Sequence, residues 1–235
     1  MIRMEIWGER ALFSRPEFKV ERVTYDVITP SAARGILTAL YWHPGMAWHV
    51  DRIYVLNPFS YTSIRRNEVK SVALASLIQR AMNGKEQPLM VNASSPSERS
   101  QRASMLLRDV HYVIEAHFSM TKKAAPTDSP EKFQSIIRRR LKKGQCYYEP
   151  YFGCREFPVS FQEWAGGDIQ TTYPDEIIDL GHMLYDLDYS VPGRIRPLFF
   201  HAVLENGVLD LTKRRGGEPA GSVRGECAHG APVAV

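Results

Sequence analysis

Apolar residues recur at helical spacing along residues 30–41. Ala33, Ile36, Leu37, Leu40 and Tyr41 fall at i, i+3, i+4, i+7 and i+8 and form one face. Thr29 suits the N-cap, and Pro30 takes the first helical position, where its missing N–H costs nothing. Pro44 and Gly45 end the run. Arg34 and Thr38 occupy the polar face, and Trp42 and His43 follow Tyr41. A second helix is predicted over 131–143, with Phe133, Ile136, Ile137 and Leu141 as its stripe, Asp128 or Ser129 as N-cap and Gly144 as the stop.

Between these helices the period changes to two. Residues 106–120 put Tyr112, Ile114, Ala116 and Phe118 on one face and His111, Val113, Glu115 and His117 on the other. Residues 47–56 read as a strand closed by Asn57-Pro58. Residues 3–13 read as a strand with a bulge at Gly8. Residues 145–161 read as a broken strand. The stretch 14–25 is expected to be a polar surface loop. Within the irregular 59–104 stretch, 71–82 suggests a short helix and 92–104 a polar, mobile loop.

The order is strand, helix, strand, insertion, strand, helix, strand. That is the split βαβ pattern of an α+β, ferredoxin-like (RRM-like) domain with an inserted arm. Residues 179–189 and 196–211 are strand-rich and contain the hairpin dipeptide Asn206-Gly207. The expected organisation is a ferredoxin-like domain over 1–160, a small antiparallel β domain over 161–215 and an irregular Gly/Ala-rich tail over 216–235.

Composition narrows the function classes. The chain has 235 residues, 44% hydrophobic and 24% charged, enough for a real core. No run approaches the roughly 20 apolar residues of a membrane span. Charges occupy the N-terminus where a signal peptide needs an apolar core, so an intracellular, cytoplasmic setting with no membrane partner is expected. Three cysteines without C-x-x-C spacing argue against a disulfide framework or a thiolate zinc site. Net charge is only +4, but six of the twelve residues from 132 to 143 are basic and none is acidic. Further clusters are Arg65-Arg66 and 213–215. Basic clusters among aromatics suit RNA, and a solvated charged face explains any single cluster as well.

No phosphate loop, dinucleotide fingerprint, H-E-x-x-H or G-x-S-x-G occurs. Acidic clusters at metal-ligand spacing are missing, and Asp186 and Asp188 read best as exposed carboxylates, so neither a metal nor another cofactor is expected. RNA cleavage needs neither: the 2′-OH attacks its own neighbouring phosphate, and the protein aligns it, moves protons and stabilises the phosphorane. Tyr41, His43, His111, His117 and Lys132 are candidates. Each also has an ordinary structural reading, Tyr41 as a core-rim ring, the histidines as solvated strand residues and Lys132 as one charge on an exposed helix.

Long phrases narrow the choice. ALFSRPE, ERVTYDVITPSAARGILTALYWHP, TSIRRNE, RDVHYVIEAHF and RRLKKGQCYYEPYFGCREF resemble the fifth Cas protein family in its Dvulg, subtype I-C form, over residues 1 to about 211. The resemblance implies a ferredoxin-like domain plus a small β-sheet. It also implies metal-independent cleavage of CRISPR precursor RNA at the base of the repeat hairpin, then retention as a subunit of the Cascade complex. In other subtypes the family only holds the guide's 5′ handle, which is the alternative function. The family's catalytic tyrosine falls on Tyr41 and its lysine on Lys132. Its histidine falls on Phe133, so His43 and His117 stand as replacements. Tyr41 would orient or deprotonate the 2′-OH, Lys132 would stabilise the phosphorane, and one histidine would shuttle a proton. The RNA-binding residues expected are Arg34, Arg65, Arg66, Arg138, Arg139 and Lys142. The expected partners are CRISPR repeat RNA and other Cascade subunits, and weak binding of duplex DNA is compatible with the basic clusters.

Overall fold

The computed structural model describes residues 1–18, 20–85, 94–191 and 193–212. Its spine is a single 22-residue strand, β5 (Arg99–Met120). The C-terminal half of β5 pairs antiparallel with β1 (Ile2–Ala11) on one side and β3 (Met46–Val55) on the other. The N-terminal half pairs antiparallel with β4 (Tyr61–Val69) and parallel with the two-residue β2 (Arg22–Val23). β6 (Ser160–Glu163) adds antiparallel to the outer edge of β1. On the far side, β9 (Val208–Asp210) pairs with β3 and continues into β8 (Arg194–Glu205) and β7 (Ile177–Val191). The result is one nine-stranded sheet in the order β6-β1-β5-β3-β9-β8-β7, with β2 and β4 branching from β5.

Two helices cover one face of this sheet, and their ends follow the sequence signals. In α1 (Pro30–Leu40) the Thr29 hydroxyl accepts from the Ala32 N–H, and Ala33, Ile36, Leu37 and Leu40 are buried. In α3 (Pro130–Lys143) Ser129 is the cap, accepting from the Lys132 N–H, and Phe133, Ile137 and Leu141 are buried. Gly144 stops it at φ +61°, a left-handed position that glycine takes without a Cβ clash. These stripes meet Met4, Ile6, Tyr112, Ile114 and Ala116 from the central strands in one apolar core. The third helix, α2 (Ala75–Met82), lies on the arm and buries none of its residues.

Several expectations change. The β1–β5 register runs through Gly8 without a shift, so there is no bulge there. The glycine is needed for close packing instead: a Cβ at position 8 would sit 2.9 Å from the Phe152 ring and 3.0 Å from the Pro158 carbonyl oxygen. The 14–25 segment is not a polar surface loop throughout, since Thr24 and Tyr25 are buried and 22–23 is a strand. Residues 99–104 are the start of β5 rather than a loop, and residues 92 and 93 lie outside the described set. In 145–161 the only ladder contact before β6 is the Tyr151–Pro158 bridge. β6 straddles the expected boundary at 160, and β9 joins the C-terminal strands to the same sheet as β1, β3 and β5. The Asn206-Gly207 hairpin is present, with φ of +54° and +72° at its two turn residues. The tail 216–235 and the 213–215 cluster lie outside the described residues. Among the described residues no helix is long and apolar enough to cross a membrane.

Candidate active site

The last turn of α1 and the first turn of α3 converge. Tyr41 is the C-cap residue of α1, already extended at φ −153°, and its N–H donates to the Leu37 carbonyl. Its own carbonyl accepts from the Trp48 indole N–H at 2.9 Å. Arg140 on α3 donates to the Leu40 carbonyl and holds its guanidinium 5.0 Å from the Tyr41 ring centroid. The ring lies 6.0 Å from Phe133. With backbone and ring both pinned, Tyr41 is 8% exposed, and no hydrogen bond to its hydroxyl occurs among the described residues. Burial raises its pKa above the ordinary tyrosine value, and the positive charges of Arg140 and Lys132 only partly oppose this.

His43 lies two residues on, its ring 4.9 Å from Phe133. The Gly45 N–H donates to His43 Nδ1 at 3.0 Å, so the neutral ring carries its proton on Nε2. Asp128 faces the same nitrogen at 3.7 Å through one carboxylate oxygen and accepts from Lys132 Nζ at 2.9 Å through the other. Its side chain is only 2% exposed, whereas that of Lys132 is 47% exposed. The Lys132 bond, then the Ala125 N–H at 2.9 Å, hold the Asp128 carboxyl below its usual range. Gly45 permits this convergence. A Cβ there would lie 2.9 Å from Ala124 Cα and 3.1 Å from an Asp128 carboxylate oxygen.

The structure therefore brings Tyr41, His43 and Lys132 to one place and does not bring His117 there. Phe118 packs on Trp48 and Phe133 beneath the helices. By strand alternation its neighbour His117 points to the opposite sheet face, where it pairs with Asp51 at 2.8 Å and stacks on His49. His111 is also on that far face, bonded to Glu5. Phe133 is fully buried against Tyr41, His43 and Phe118. Asp128, Arg140 and Gly45 are site residues that sequence reasoning missed. Asp128 suits a helix cap by residue type, and its carboxylate spacing to Lys132, i to i+4, is the available signal for the second role.

Of the basic residues, Arg138, Arg139 and Lys142 form an exposed ridge on α3, and Arg65 is exposed on β4. None of the four has an ion-pair partner among the described residues. Arg66 is committed to Glu156 at 2.5 Å and lies over the Phe157 ring, and Arg34 ties α1 to β7 through Asp186 at 2.6 Å. Among the described residues no three His, Cys, Asp or Glu side chains are grouped to hold a metal ion.

The fold places the chain in a structural class already known from CRISPR systems. A solved CRISPR-associated protein superposes with a TM-score of 0.66 at 23% identity, covering 91% of this chain and 94% of that one. A functionally uncharacterised protein, SMU1763c from Streptococcus mutans, gives 0.64 at 22% identity, covering 91% and 94%. The sequence model for CRISPR-associated protein (Cas_Cas5), in its Cas5d form, matches residues 1–217, and the chain belongs to that family. Two relatives bear the name CRISPR pre-crRNA endoribonuclease Cas5d. The protein from Mannheimia succiniciproducens is 45% identical over 214 residues, covering 89% of this chain and 94% of the relative. That from Thermus thermophilus is 39% identical over 229 residues, covering 89% and 90%.

Proposed function

We propose that this chain cleaves CRISPR precursor RNA at the base of the repeat hairpin, without a metal ion, and leaves a 2′,3′-cyclic phosphate and a 5′-OH. The observation that carries the reading is the convergence of Tyr41, His43 and Lys132 across 91 residues of sequence, in a chain whose similar relatives bear the name pre-crRNA endoribonuclease. The substrate's 2′-oxygen attacks the adjacent phosphorus in line, and the P–O5′ bond breaks. Lys132 supplies positive charge to the phosphorane oxygens, the effect expected of a pre-oriented cation. Asp128 sets the position of both Lys132 and His43. Tyr41, with its pKa raised, stays protonated at neutral pH and acts as an orienting donor rather than a base. The 2′-OH proton passes to a solvent water, and His43, as the imidazolium with Nδ1–H facing Asp128, donates its Nε2 proton to the departing O5′ and regains one from solvent. Its ring packs on the phenyl of Phe133, the position where the resemblance calls for histidine.

The exposed ridge of Arg138, Arg139 and Lys142 grips the stem through phosphates, and Arg65, exposed on β4, supplies a separate phosphate contact. The same charges give a weaker, sequence-independent affinity for duplex DNA. The order β6-β1-β5-β3 with α1 and α3 on one face supports a ferredoxin-like core over about residues 1–164, with β7–β9 as the smaller second unit. After cleavage the protein stays with the guide in a Cascade complex. A chain of a CRISPR RNA-guided surveillance complex shares the fold, with a TM-score of 0.50 at 11% identity, covering 88% of this chain and 90% of that one. Phe133 favours one rival, a guide-holding subunit without chemistry. Purified protein incubated with its cognate repeat RNA in EDTA separates the two. Cleavage with a cyclic-phosphate end is expected, and binding without cleavage at any enzyme concentration overturns the catalytic reading.

A further inference from the structure

The sheet face opposite α1 and α3 carries a groove of about 530 Å³ that the reaction above does not use. Its floor is built from cross-strand neighbours. Trp7 on β1 lies opposite His111 on β5 and opposite Ser160 on β6, and Glu5 lies opposite Gln162. The Trp7 indole is 37% exposed, a large ring left open on a central strand, and meets the His111 ring edge-on at 6.0 Å. Its N–H has no hydrogen-bond partner among the described residues.

The polar groups around that ring are ordered and mostly accepting. Glu5 accepts from His111 Nε2 at 2.8 Å through one oxygen and from the Gln162 amide at 2.6 Å through the other, which leaves a lone pair on each. Gln162 and Asn57 each donate one amide N–H, to Glu5 and to the Asp109 carbonyl, and both retain amide oxygens. Glu9 and Asp109 also line the groove, and their carboxylates pair with the guanidiniums of Arg10 and Arg108. A carboxylate-lined floor repels phosphate, while an exposed ring and surplus acceptors suit the face and donor-bearing edge of a base. Guanine offers the most donors on one edge, N1–H and N2–H₂.

We propose that this groove holds one unpaired guanine of the bound RNA, stacked on Trp7, with its Watson–Crick edge on Glu5 and its neighbours. This rests on the reading of the chain as an RNA-processing protein but concerns a separate face. It makes the sheet a sequence-reading surface, set apart from the cutting site and the α3 ridge.

The test uses the full chain and labelled RNA pentamers UUGUU, UUAUU, UUCUU and UUUUU, with affinity measured by anisotropy at fixed low salt. UUGUU is expected to bind about tenfold or more tighter than UUUUU. Trp7→Ala weakens UUGUU by about 5- to 150-fold, the range that one stacked base supplies, while Trp7→Phe keeps most of the affinity. Glu5→Gln removes the preference for guanine over adenine and leaves the stacking contribution. Equal binding of all four pentamers by the wild-type chain, or a Trp7→Ala protein with unchanged preference and an unchanged melting profile, overturns the proposal. Cleavage of the repeat hairpin in EDTA is scored in parallel. Guanine selectivity without cleavage removes the enzymatic reading alone, and cleavage without selectivity removes the groove alone.

Discussion

Replacing Tyr41 by phenylalanine isolates one oxygen atom. The ring keeps its contacts with Phe133 and the Arg140 guanidinium, and the backbone keeps its bonds to Leu37 and Trp48. Because no described residue hydrogen-bonds the hydroxyl, its loss should change stability by no more than about 0.5 kcal/mol. In a chain of this size that is about 1–2 °C in melting temperature. Tyr41→Ala differs: deleting a buried aromatic costs about 3–5 kcal/mol. If the hydroxyl orients the attacking 2′-OH or donates to the phosphorane, Tyr41→Phe lowers the single-turnover rate by about 10²- to 10³-fold. The assay is cleavage of end-labelled repeat RNA at saturating enzyme in EDTA, with binding followed separately. Since burial raises the phenol's pKa, the donor is present through neutral pH and is lost only as pH rises beyond the ordinary tyrosine value of about 10. A wild-type rate that climbs tenfold per pH unit from 6 to 8 and becomes flat in Tyr41→Phe would show the phenol working as a base. A Tyr41→Phe protein that cuts as fast as wild type reduces Tyr41 to packing.

Asp128→Asn should leave the fold intact and slow cleavage by about 10²-fold through misplacement of Lys132 and His43, read as a loss in rate with unchanged RNA affinity. The Asp128 carboxyl is held below its usual range, so its pairing with Lys132 is fully present above the ordinary Asp value of about 3.9 and fades only as pH falls through the lowered value. Chemical-shift titration of the Lys132 ammonium should show this acid-side transition, and a change centred at neutral pH would refute the pairing. Neutralising Arg138, Arg139 and Lys142 together to glutamine should flatten the slope of log affinity against log salt by about 2.7 if each contacts one stem phosphate, and an unchanged slope excludes the ridge. Gly45→Ala forces its Cβ against the Ala124 backbone and Asp128; overpacking of this kind costs about 1–3 kcal/mol, and cleavage should fall more than RNA binding.

The sequence was most informative where one face of an element is buried and its ends carry special chemistry. Thr29-Pro30 and Ser129-Pro130 mark both helix starts, and the stripes through Leu37 and Phe133 orient them. The N-terminal half of β5 carried no such signal. Arg99 to Ala103 pair with β4 on the arm, where neither strand buries a continuous face, so hydrophobic periodicity has nothing to register. The site shows the same division. Tyr41 and Lys132 were found through family phrases, but the choice between His43 and His117 depends on which way a strand residue points, and that is fixed by Phe118 turning inward. Asp128 was hidden because its residue type suits a helix cap as well as a bridge between two site residues. Nothing in the sequence singles out Trp7, since its partners His111 and Ser160 come from distant parts of the chain.

The order of strands in the sheet has a consequence for how the protein is made. β1 leaves the ribosome first, yet both of its neighbours come much later, β5 after residue 99 and β6 only at Ser160–Glu163. At about 5–20 residues per second, a nascent β1 waits roughly 8–30 s for its second edge to be filled. During that interval Met4 and Ile6 face water beside unpaired backbone, a state that invites pairing with another chain. The nascent chain is therefore a natural client for a holding chaperone, and RNA-cleaving capacity appears late in translation, as the closing of the sheet around β1 rather than as the emergence of Tyr41.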